Sequence, residues 1–236
     1  MVVLITACGG RDSQYLRRLL TQIDSSGWRG PRILISDGRP SVLTGWRVAA
    51  SPRNEGQKRT YWRALAIGLE EARRRRVDRI LILEDDVVLC RNALQYMECA
   101  RLPGILDFVT WFDGHAVPPR ARPGIYPVLG QSFFCLQGVT WSCATAERLL
   151  TAPAAQQWKE RHSGDILVAK ILRGRYYGVH VPNLVQHLGA TSVCNPGQGL
   201  TGVRVANNYP GHDFDALTLG RGAPATAARL GNGRGA

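Results

Sequence analysis

One apolar run of the chain ends in three consecutive acids: Arg79-Ile80-Leu81-Ile82-Leu83-Glu84-Asp85-Asp86-Val87-Val88-Leu89. A short run this rich in Ile, Leu and Val is typical of a central parallel strand that is covered on both faces. Ligands of open α/β sheets bind at the carboxyl ends of such strands, so the three carboxylates are expected at a ligand site. Their oxygens favour Mg2+ or Mn2+, which commonly complete their shells with water and substrate phosphates. The alternative is a solvated acidic turn, which the long apolar run before the acids disfavours.

Strand and helix patterns alternate along the rest of the chain. The patterns predict strands at 2–6, 32–36, 107–111 and 132–136 and helices over 92–100, 144–150 and 165–172. Two earlier helices are indicated by apolar residues at helical spacing, namely Leu16, Leu19, Leu20 and Ile23, and then Tyr61, Leu65, Leu69 and Ala72. This alternation predicts an α/β fold with a mostly parallel sheet flanked by helices.

The 236 residues, 44% of them hydrophobic, can bury a sizeable core in a single domain. We expect that domain to span residues 1–215. Residues 216–236 hold three Arg, no acid and many Gly and Ala, which predicts a flexible basic tail. No stretch approaches the ~20 apolar residues of a membrane span, and the first residues lack the basic leader of a secretory signal. The predicted compartment is therefore cytoplasmic.

The cysteines form no C-x-x-C pair, and several lie within strand-like or helix-like runs. They are Cys8, Cys90, Cys99, Cys135, Cys143 and Cys194. This spacing indicates neither a zinc site nor a disulfide framework. We expect reduced and mostly buried thiols.

The formal charge of +12 is unevenly distributed. Between Arg39 and Arg76 there are ten basic residues and three acidic ones, which accounts for more than half of the excess. Part of this excess comes from Arg73 to Arg76, which lie at the predicted end of a helix. Cations there interact favourably with the negative end of the helix dipole. An excess of this size also attracts polyanions, so nucleotides, nucleic acid and anionic glycans become favoured partners.

The loops that hold phosphates in the two large nucleotide-binding classes are absent. The first strand runs into Ala7-Cys8-Gly9-Gly10-Arg11-Asp12, which is not a G-x-G-x-x-G loop, and the chain has no Walker A motif. A bound nucleotide would therefore be held through a metal.

Four features of the first half together resemble the nucleotide-sugar-binding half of GT-A glycosyltransferases. They are a first strand ending in Thr6, a second ending in Asp37, a helix opened by Asn54-Glu55-Gly56-Gln57-Lys58, and the apolar strand that runs into Glu84-Asp85-Asp86. The acid triplet is similar to that family's D-x-D motif, with Glu in the first place. The resemblance implies a Rossmann-like GT-A fold in which residues 1–105 bind the nucleotide-sugar and residues 106–215 bind the acceptor.

The resemblance also implies roles for these residues. In that family the last acid of the triplet ligates a divalent metal that bridges the two donor phosphates, and the earlier acids contact the ribose or metal waters. Asp86 would be a metal ligand, with Glu84 beside it. The residues implied in the nucleotide pocket are Thr6, Arg11, Asp37, Asn54, Lys58 and Asp85, among which Asp37 would meet the base or ribose.

The second half offers candidates for acceptor binding and for the base. The segment Phe133 to Ser142 is similar to the family's sugar and acceptor strand. The predicted sugar- or acceptor-binding residues are Trp111, His115, Gln137, Gly138 and Trp141, although the aromatic ones also suit a core. The run His162-Ser163-Gly164-Asp165-Ile166-Leu167 resembles the segment that supplies the base of an inverting enzyme, which makes Asp165 the predicted base. Asp165 could instead only cap its helix, and Asp113 is the rival base or a sugar-binding group.

Near the end of the domain, His187-Leu188-Gly189 is similar to the His-x-Gly close of several GT-A enzymes, in which the His completes the metal shell. The alternative for His187 is a core histidine beside apolar residues. Together with the acid triplet, the motif favours a metal ligand.

The predicted function is a metal-dependent, inverting glycosyltransferase of the hexosyltransferase type that uses Mn2+ or Mg2+ and a UDP-sugar donor. The positive charge favours a polyanionic acceptor, with a hydroxyl-modified DNA base ranked ahead of an anionic glycan or a lipid head group; such a base would have to be flipped from its stack. The competing classes are a nucleotidyltransferase with the same use of metal and a non-catalytic nucleotide-sugar-binding protein on the same scaffold.

Overall fold

A central eight-stranded sheet organises the chain, and the apolar run quoted above supplies one of its inner strands. The computed structural model describes residues 1–7, 13–37, 43–51, 56–153, 164–189 and 204–220. The sheet contains β1 (Val2–Ala7), β2 (Arg32–Ser36), β3 (Arg47–Ala50), β4 (Arg79–Glu84), β6 (Leu106–Thr110), β7 (Gly124–Leu129), β8 (Gly138–Ser142) and β9 (Tyr176–Val181). Its order is β3-β2-β1-β4-β8-β6-β9-β7.

The first half of the sheet is parallel and the second half is mixed. Strands β3, β2, β1 and β4 pair in parallel, whereas β8 is antiparallel to both β4 and β6. Strand β9 is parallel to β6 and antiparallel to the edge strand β7. A separate two-stranded antiparallel ladder joins β5 (Val87–Leu89) to β10 (Val185–His187). The prediction of an α/β fold with a sheet flanked by helices is confirmed.

Helices cover both faces of the sheet. They are α1 (Ser13–Ser25), α2 (Gly56–Arg75), α3 (Ala93–Cys99), α4 (Cys143–Thr151) and α5 (Gly164–Ile171), with short 3-10 turns at Gly130–Ser132 and Ala216–Leu219. Alternate residues of β1 supply the two cores: Val3 and Ile5 pack with α1 and α3, and Val2 and Leu4 pack with α2, α4 and α5. The period-2 alternation of a strand buried on both faces explains this division.

The helical pattern predicted for α2 is confirmed, since Tyr61, Leu65, Leu69 and Ala72 are all buried on the sheet. The prediction of a strand at 132–136 was wrong. Ser132 ends a 3-10 turn, and the strand begins only at Gly138. Cys135 adopts a φ of 90°, a backbone conformation that no strand residue takes, and the exposed Phe134 turns outward beside it.

Four cysteines lie in the described residues, and all four are free thiols. Cys90 and Cys135 are buried, whereas Cys99 is exposed. Cys8 and Cys194 lie outside the described residues. Among the helices that the structure describes, none is long and apolar enough to cross a membrane.

The described fold continues past the predicted start of the tail at 216. Ala216 is fully buried, and the turn it opens is capped by the Asp215 carboxylate, which accepts a hydrogen bond from the Leu217 amide. Asp215 also pairs with Arg91 at the start of the α3 region. Residues 221–236 lie outside the described residues.

Candidate metal and nucleotide site

The acids after β4 are fixed by the strands on both sides of it. Thr6 at the end of β1 stands opposite Glu84 in the parallel ladder, and its hydroxyl donates to the Leu83 carbonyl over 3.3 Å. The Glu84 amide donates to the Gln137 carbonyl over 3.2 Å, and the Asp85 amide donates to the Thr6 carbonyl over 3.1 Å. The start of the triplet is thus an extension of the sheet rather than a solvated turn, and all three acids are buried.

The β5–β10 ladder brings His187 to the end of the triplet. His187 pairs with Val87, the residue directly after the acids, and the Leu188 amide donates to the Asp86 carbonyl over 2.7 Å. As a result, the Nε2 atom of His187 lies 2.9 Å from Oδ2 of Asp86. The acid triplet and the His-x-Gly motif, which the resemblance to GT-A enzymes implies in one metal shell, are therefore in contact.

Glu84, Asp86 and His187 together have the composition of a divalent metal site. One ligand atom from each residue can be chosen so that all lie within 4.8 Å of one another, and all three residues are buried. Two carboxylates in a buried position favour a cation between them, because burial penalises uncompensated charge. The Nδ1 atom of His187 is buried and has no hydrogen-bond partner among the described residues. No other such group of three occurs in the described part of the chain.

Gly189 forms a wall of this site. A Cβ at this position would lie 2.2 Å from Oδ2 of Asp86 and 3.2 Å from Cε1 of His187. Any side chain there would occupy the space beside the ligand atoms. Only a glycine therefore fits at this position of the His-x-Gly motif without displacing its neighbours.

Asp165 opens α5 close to the same strand ends. Its side chain is mostly buried and accepts hydrogen bonds from the amides of Ile166, over 2.9 Å, and Cys135, over 3.4 Å. Gly164 permits this approach, since a Cβ there would lie 2.7 Å from Cδ1 of Leu136.

A buried phenol lies near both acidic positions. Burial raises the pKa of Tyr61, the hydrogen bond from the Trp141 indole opposes this rise, and the negative charges of Glu84 and Asp165 add to it. Both carboxylates therefore act on the same hydroxyl, which places Asp165 in the electrostatic neighbourhood of Glu84. The Tyr61 hydroxyl stays protonated at neutral pH.

Asp113, the rival base, is engaged by its own loop. Its carboxylate accepts hydrogen bonds from the amides of Val117 over 2.8 Å, Ala116 over 3.0 Å and His115 over 3.3 Å. These three hydrogen bonds fix the loop around the carboxylate. This geometry suits a structural carboxylate better than one that must exchange protons.

The structure divides the predicted acceptor residues between core and surface. Trp111 and Trp141 are fully buried, and their indole nitrogens donate to the hydroxyls of Thr140 and Tyr61. Both tryptophans therefore act as core residues here. His115 is exposed, and its ring lies edge-on to Phe134 with 5.9 Å between the ring centroids.

Gln137 and Gly138 lie at the site itself. The Gln137 backbone holds Glu84, and its buried Oε1 has no hydrogen-bond partner among the described residues. Gly138 allows β8 to approach β10, since a Cβ there would lie 2.9 Å from Cγ2 of Val185. Gln137 is thus a polar group that can still accept a hydrogen bond beside the acids.

The predicted nucleotide pocket is partly described. Asp37 is buried after β2, and its Oδ2 accepts a hydrogen bond from the Gly56 amide over 2.8 Å, which caps the start of α2. Arg11 and Asn54 lie outside the described residues. Lys58 belongs to α2, but its side chain is not described.

Two residues near Asp165 were missed by the sequence analysis as site residues. Phe134 is 46% exposed although it follows a buried Phe, and the Arg204 guanidinium lies over its ring at 5.4 Å. Gln186 fixes this region by donating to the Arg204 carbonyl over 3.0 Å and accepting from the Ala206 amide over 3.0 Å. Nothing in the sequence around Arg204 indicates this placement, because it depends on a long-range contact with β10.

Cys135 is not a reactive thiolate despite its position beside Asp165. Burial raises the pKa of its thiol to about 12, and the positive charge of Arg204 offsets this only in part. A thiol that stays protonated at neutral pH is a poor nucleophile. Cys135 is therefore not a candidate nucleophile.

Comparison with known proteins finds distant structural likenesses. No known protein family and no curated protein matches the sequence. One similar solved structure is a glycosyltransferase involved in the glycosylation of the major capsid of PBCV-1, with 13% identity, a TM-score of 0.47, and coverage of 81% of this chain and 94% of that chain. Another is A197 from STIV, with 16% identity, a TM-score of 0.39, and coverage of 65% and 71%. At this distance, functional assignment depends on the side chains of the site.

Proposed function

We propose that this chain is a metal-dependent, inverting glycosyltransferase that moves a hexosyl group from a nucleotide-sugar, with a UDP-sugar as the donor, to an acceptor hydroxyl. The observation that carries the proposal is the buried group of Glu84, Asp86 and His187 at the carboxyl end of a central parallel strand. Ligands of α/β sheets bind at such strand ends. Carboxylate oxygen ligands in a buried pocket suit Mn2+ or Mg2+.

The donor lies across the ends of β1, β2 and β4 in this proposal. Thr6, Asp37 and Asp85 face the nucleoside, and Arg11, Asn54 and Lys58 complete its pocket. Glu84, Asp86 and His187 would hold the ion, which when bound neutralises the negative charge that develops on the leaving diphosphate. The chain itself contributes a rigid, buried frame, because the backbone bonds of Glu84, Asp85 and Leu188 fix the acids before any ligand arrives.

Asp165 is the proposed base. Its carboxylate takes the proton from the acceptor hydroxyl as that oxygen bonds to the anomeric carbon, while the bond from this carbon to the diphosphate oxygen breaks. Attack opposite the leaving group inverts the anomeric configuration. The negative charges of Asp165 and Glu84 both raise the pKa of the Tyr61 hydroxyl, which supports a place for Asp165 near the acid cluster and this role over Asp113.

The acceptor side of the site is proposed to lie around Phe134. This exposed ring stands next to Cys135, whose amide binds Asp165, and both His115 and Arg204 lie against it. An exposed aromatic ring with a guanidinium group suits an acceptor that combines a flat surface with negative charge. The net charge of +12 favours the same class. A hydroxyl-modified DNA base is therefore proposed ahead of an anionic glycan or a lipid head group.

The test of this function measures release of UDP from UDP-sugars by the full chain, with Mn2+ or with EDTA. We expect donor hydrolysis in Mn2+ and none in EDTA. The candidate acceptors are then added one at a time: an oligonucleotide with hydroxymethylated bases, a carboxylated glycan, or vesicles of an anionic lipid. The acceptor is the one to which the sugar is transferred. Binding of UDP with no turnover on any donor or acceptor would favour the non-catalytic binding protein.

The acceptor choice has a separate readout in its salt dependence. Phosphate contacts release counterions, so DNA binding should weaken steeply with salt. Removal of residues 221–236 should flatten that dependence and leave donor hydrolysis intact. A chain with no affinity for duplex or single-stranded DNA at ~50 mM salt, where even non-specific binding is favoured, would leave the glycan as the acceptor.

A further inference from the structure

A concave basic pocket lies at the other end of the parallel strands from the acids. It has a volume of about 280 Å³ and is located at the start of β2 and β3, beside the end of α2. The charged residues that line it are Arg29, Arg32, Arg47, Glu71, Arg74 and Arg75. Glu84 ends β4 and Asp37 follows β2, both at the opposite, carboxyl ends of the strands, so the proposed donor site does not include this pocket.

One buried carboxylate organises half of the pocket. Glu71 has a side chain that is only 3% exposed, and it binds the guanidinium groups of Arg47 over 3.1 Å, Arg74 over 2.6 Å and Arg75. The hydrogen bond from Arg74 contributes most to lowering the pKa of Glu71 to about 2. Three cations share one anion, so two positive charges are left over in this group.

The opposite wall is fixed as well. The Arg32 guanidinium pairs with Asp24 and lies over the Trp46 ring at 5.4 Å, and the Trp46 indole donates to the same carboxylate over 3.1 Å. Gly45 leaves room for this arrangement, because a Cβ there would lie 3.1 Å from Nη2 of Arg32. The guanidinium groups on both sides are thus held in place before a ligand binds.

A role in helix stability accounts for only part of this cluster. Arg74 and Arg75 close α2, where cations interact favourably with the helix dipole. Arg29, Arg32 and Arg47 belong to other elements and have no such role. Guanidinium groups match phosphate oxygens with paired hydrogen bonds, and each retains donors after one carboxylate contact.

We propose that this pocket is a second anion site, which binds a compact polyphosphate group, as in pyrophosphate or a nucleoside di- or triphosphate, without a metal. The convergence of five guanidinium groups on a small concave volume favours several negative charges on neighbouring atoms over one phosphodiester of a nucleic acid backbone. The site goes beyond the proposed transfer reaction and does not depend on it.

The test is a calorimetric titration of the full chain with sodium pyrophosphate. EDTA is present, so that no metal-mediated binding at the acidic cluster contributes to the signal. The exposed Arg74 and Arg75 are replaced together by Gln, and we expect the affinity to fall at least ~10-fold. The matched control is Arg73→Gln on the same helix, since Arg73 pairs with Glu147 outside the pocket. This variant, and Asp86→Asn at the other end of the sheet, should stay within ~2-fold of the wild type.

A second pair on another wall, Arg29→Gln with Arg47→Gln, should lower the affinity similarly, and thermal melting checks that each variant is folded. Absence of pyrophosphate binding by the wild-type chain would overturn the proposal. Equal losses in Arg73→Gln would also overturn it, because general attraction to a basic surface would then explain the binding. An oligonucleotide that binds more tightly than pyrophosphate through the same arginines would replace it with a nucleic acid contact.

Discussion

The imidazole Nε2 of His187 lies 2.9 Å from the Oδ2 of Asp86, although the two residues belong to segments far apart in the chain. The contact exists because β10 pairs with β5 directly after the acid triplet. The same ladder aligns Gly189 with the carboxylate, where only a hydrogen fits. A histidine, two carboxylates and a glycine are thus arranged around one small space.

The proposed metal ligands can be distinguished from residues that only stabilise the fold by substitution. We expect Asp86→Asn to abolish the rise in melting temperature that Mn2+ causes in the wild type, and His187→Gln to reduce it, because each removes one ligand atom. Without metal the melting temperature should stay the same or rise in Asp86→Asn, since one buried negative charge is removed.

The chain provides a matched control in the exposed pair of His212 and Asp213, whose Nε2 and Oδ2 atoms lie 3.4 Å apart. Replacing these residues by Gln and Asn should leave the response to Mn2+ unchanged. An unaltered response in Asp86→Asn would remove the metal assignment.

Gly189→Ala tests the space beside the ligands. The added Cβ would contact Oδ2 of Asp86, so we expect affinity for Mn2+ to fall at least ~10-fold, by the loss of about one ligand interaction. Gly104→Ala is the control, because nothing lies within 4 Å of a Cβ there. Calorimetric titration with MnCl2 measures both, and equal affinities in the two variants would show that the space is not used.

The two candidate bases should differ in what their loss affects. We expect Asp165→Asn to lower kcat by ~10²-fold or more while the affinity for UDP changes little, since a base contributes to turnover and not to donor binding. Asp113→Asn should instead lower the melting temperature, because the carboxylate holds three amides of its loop. A dead but stable Asp113→Asn together with an active Asp165→Asn would reverse these roles.

A buried histidine makes the stability depend on pH. His180 donates through Nδ1 to the Pro182 carbonyl over 2.7 Å and accepts through Nε2 from the Tyr96 hydroxyl over 2.9 Å, which is the neutral tautomer. Burial lowers its pKa to about 4, although the bond to Pro182 opposes this shift. The unfolded chain takes up this proton near pH 6.5 and the folded chain does not, so the free energy of unfolding should fall from about pH 6.5 to about pH 4.

Urea denaturation at several pH values measures this decline, and the difference between wild type and His180→Gln isolates the contribution of His180. Glu71 acts mostly at lower pH, because its lowered pKa stabilises the fold above its unfolded value of 4.5 and that stabilisation is lost toward pH 2. A decline of equal slope in His180→Gln would assign the effect to other groups.

The sequence predicts the parallel half of the sheet because its strands are continuous apolar runs. Residues 2–6, 32–36 and the run before Glu84 are short and rich in Ile, Leu and Val, which favours buried strands over helices. The strands of the mixed half of the sheet are harder to predict from the sequence, for physical reasons. Strand β7 contains Pro127, which the pattern treats as a breaker but an edge strand accommodates, and β9 contains Gly178, where a Cβ would lie 2.6 Å from Cγ2 of Ile125.

The candidate site shows the same division. The acids were located from local sequence, because a polar triplet after a buried strand has few explanations. The placement of Asp165 beside Cys135, and of Arg204 over Phe134, arises from contacts between distant segments that no local pattern encodes. The sequence likewise could not predict that Trp111 and Trp141 are buried, since an aromatic side chain suits both a core and a binding surface.

The most direct measurement is the anomalous difference map of a crystal soaked with UDP and Mn2+. We predict one manganese peak in contact with Asp86 and His187, next to Glu84, with the diphosphate of UDP on its open side and the uridine across the ends of β1 and β2. Manganese at another position, or UDP bound in the basic pocket with these three side chains left unliganded, would contradict it.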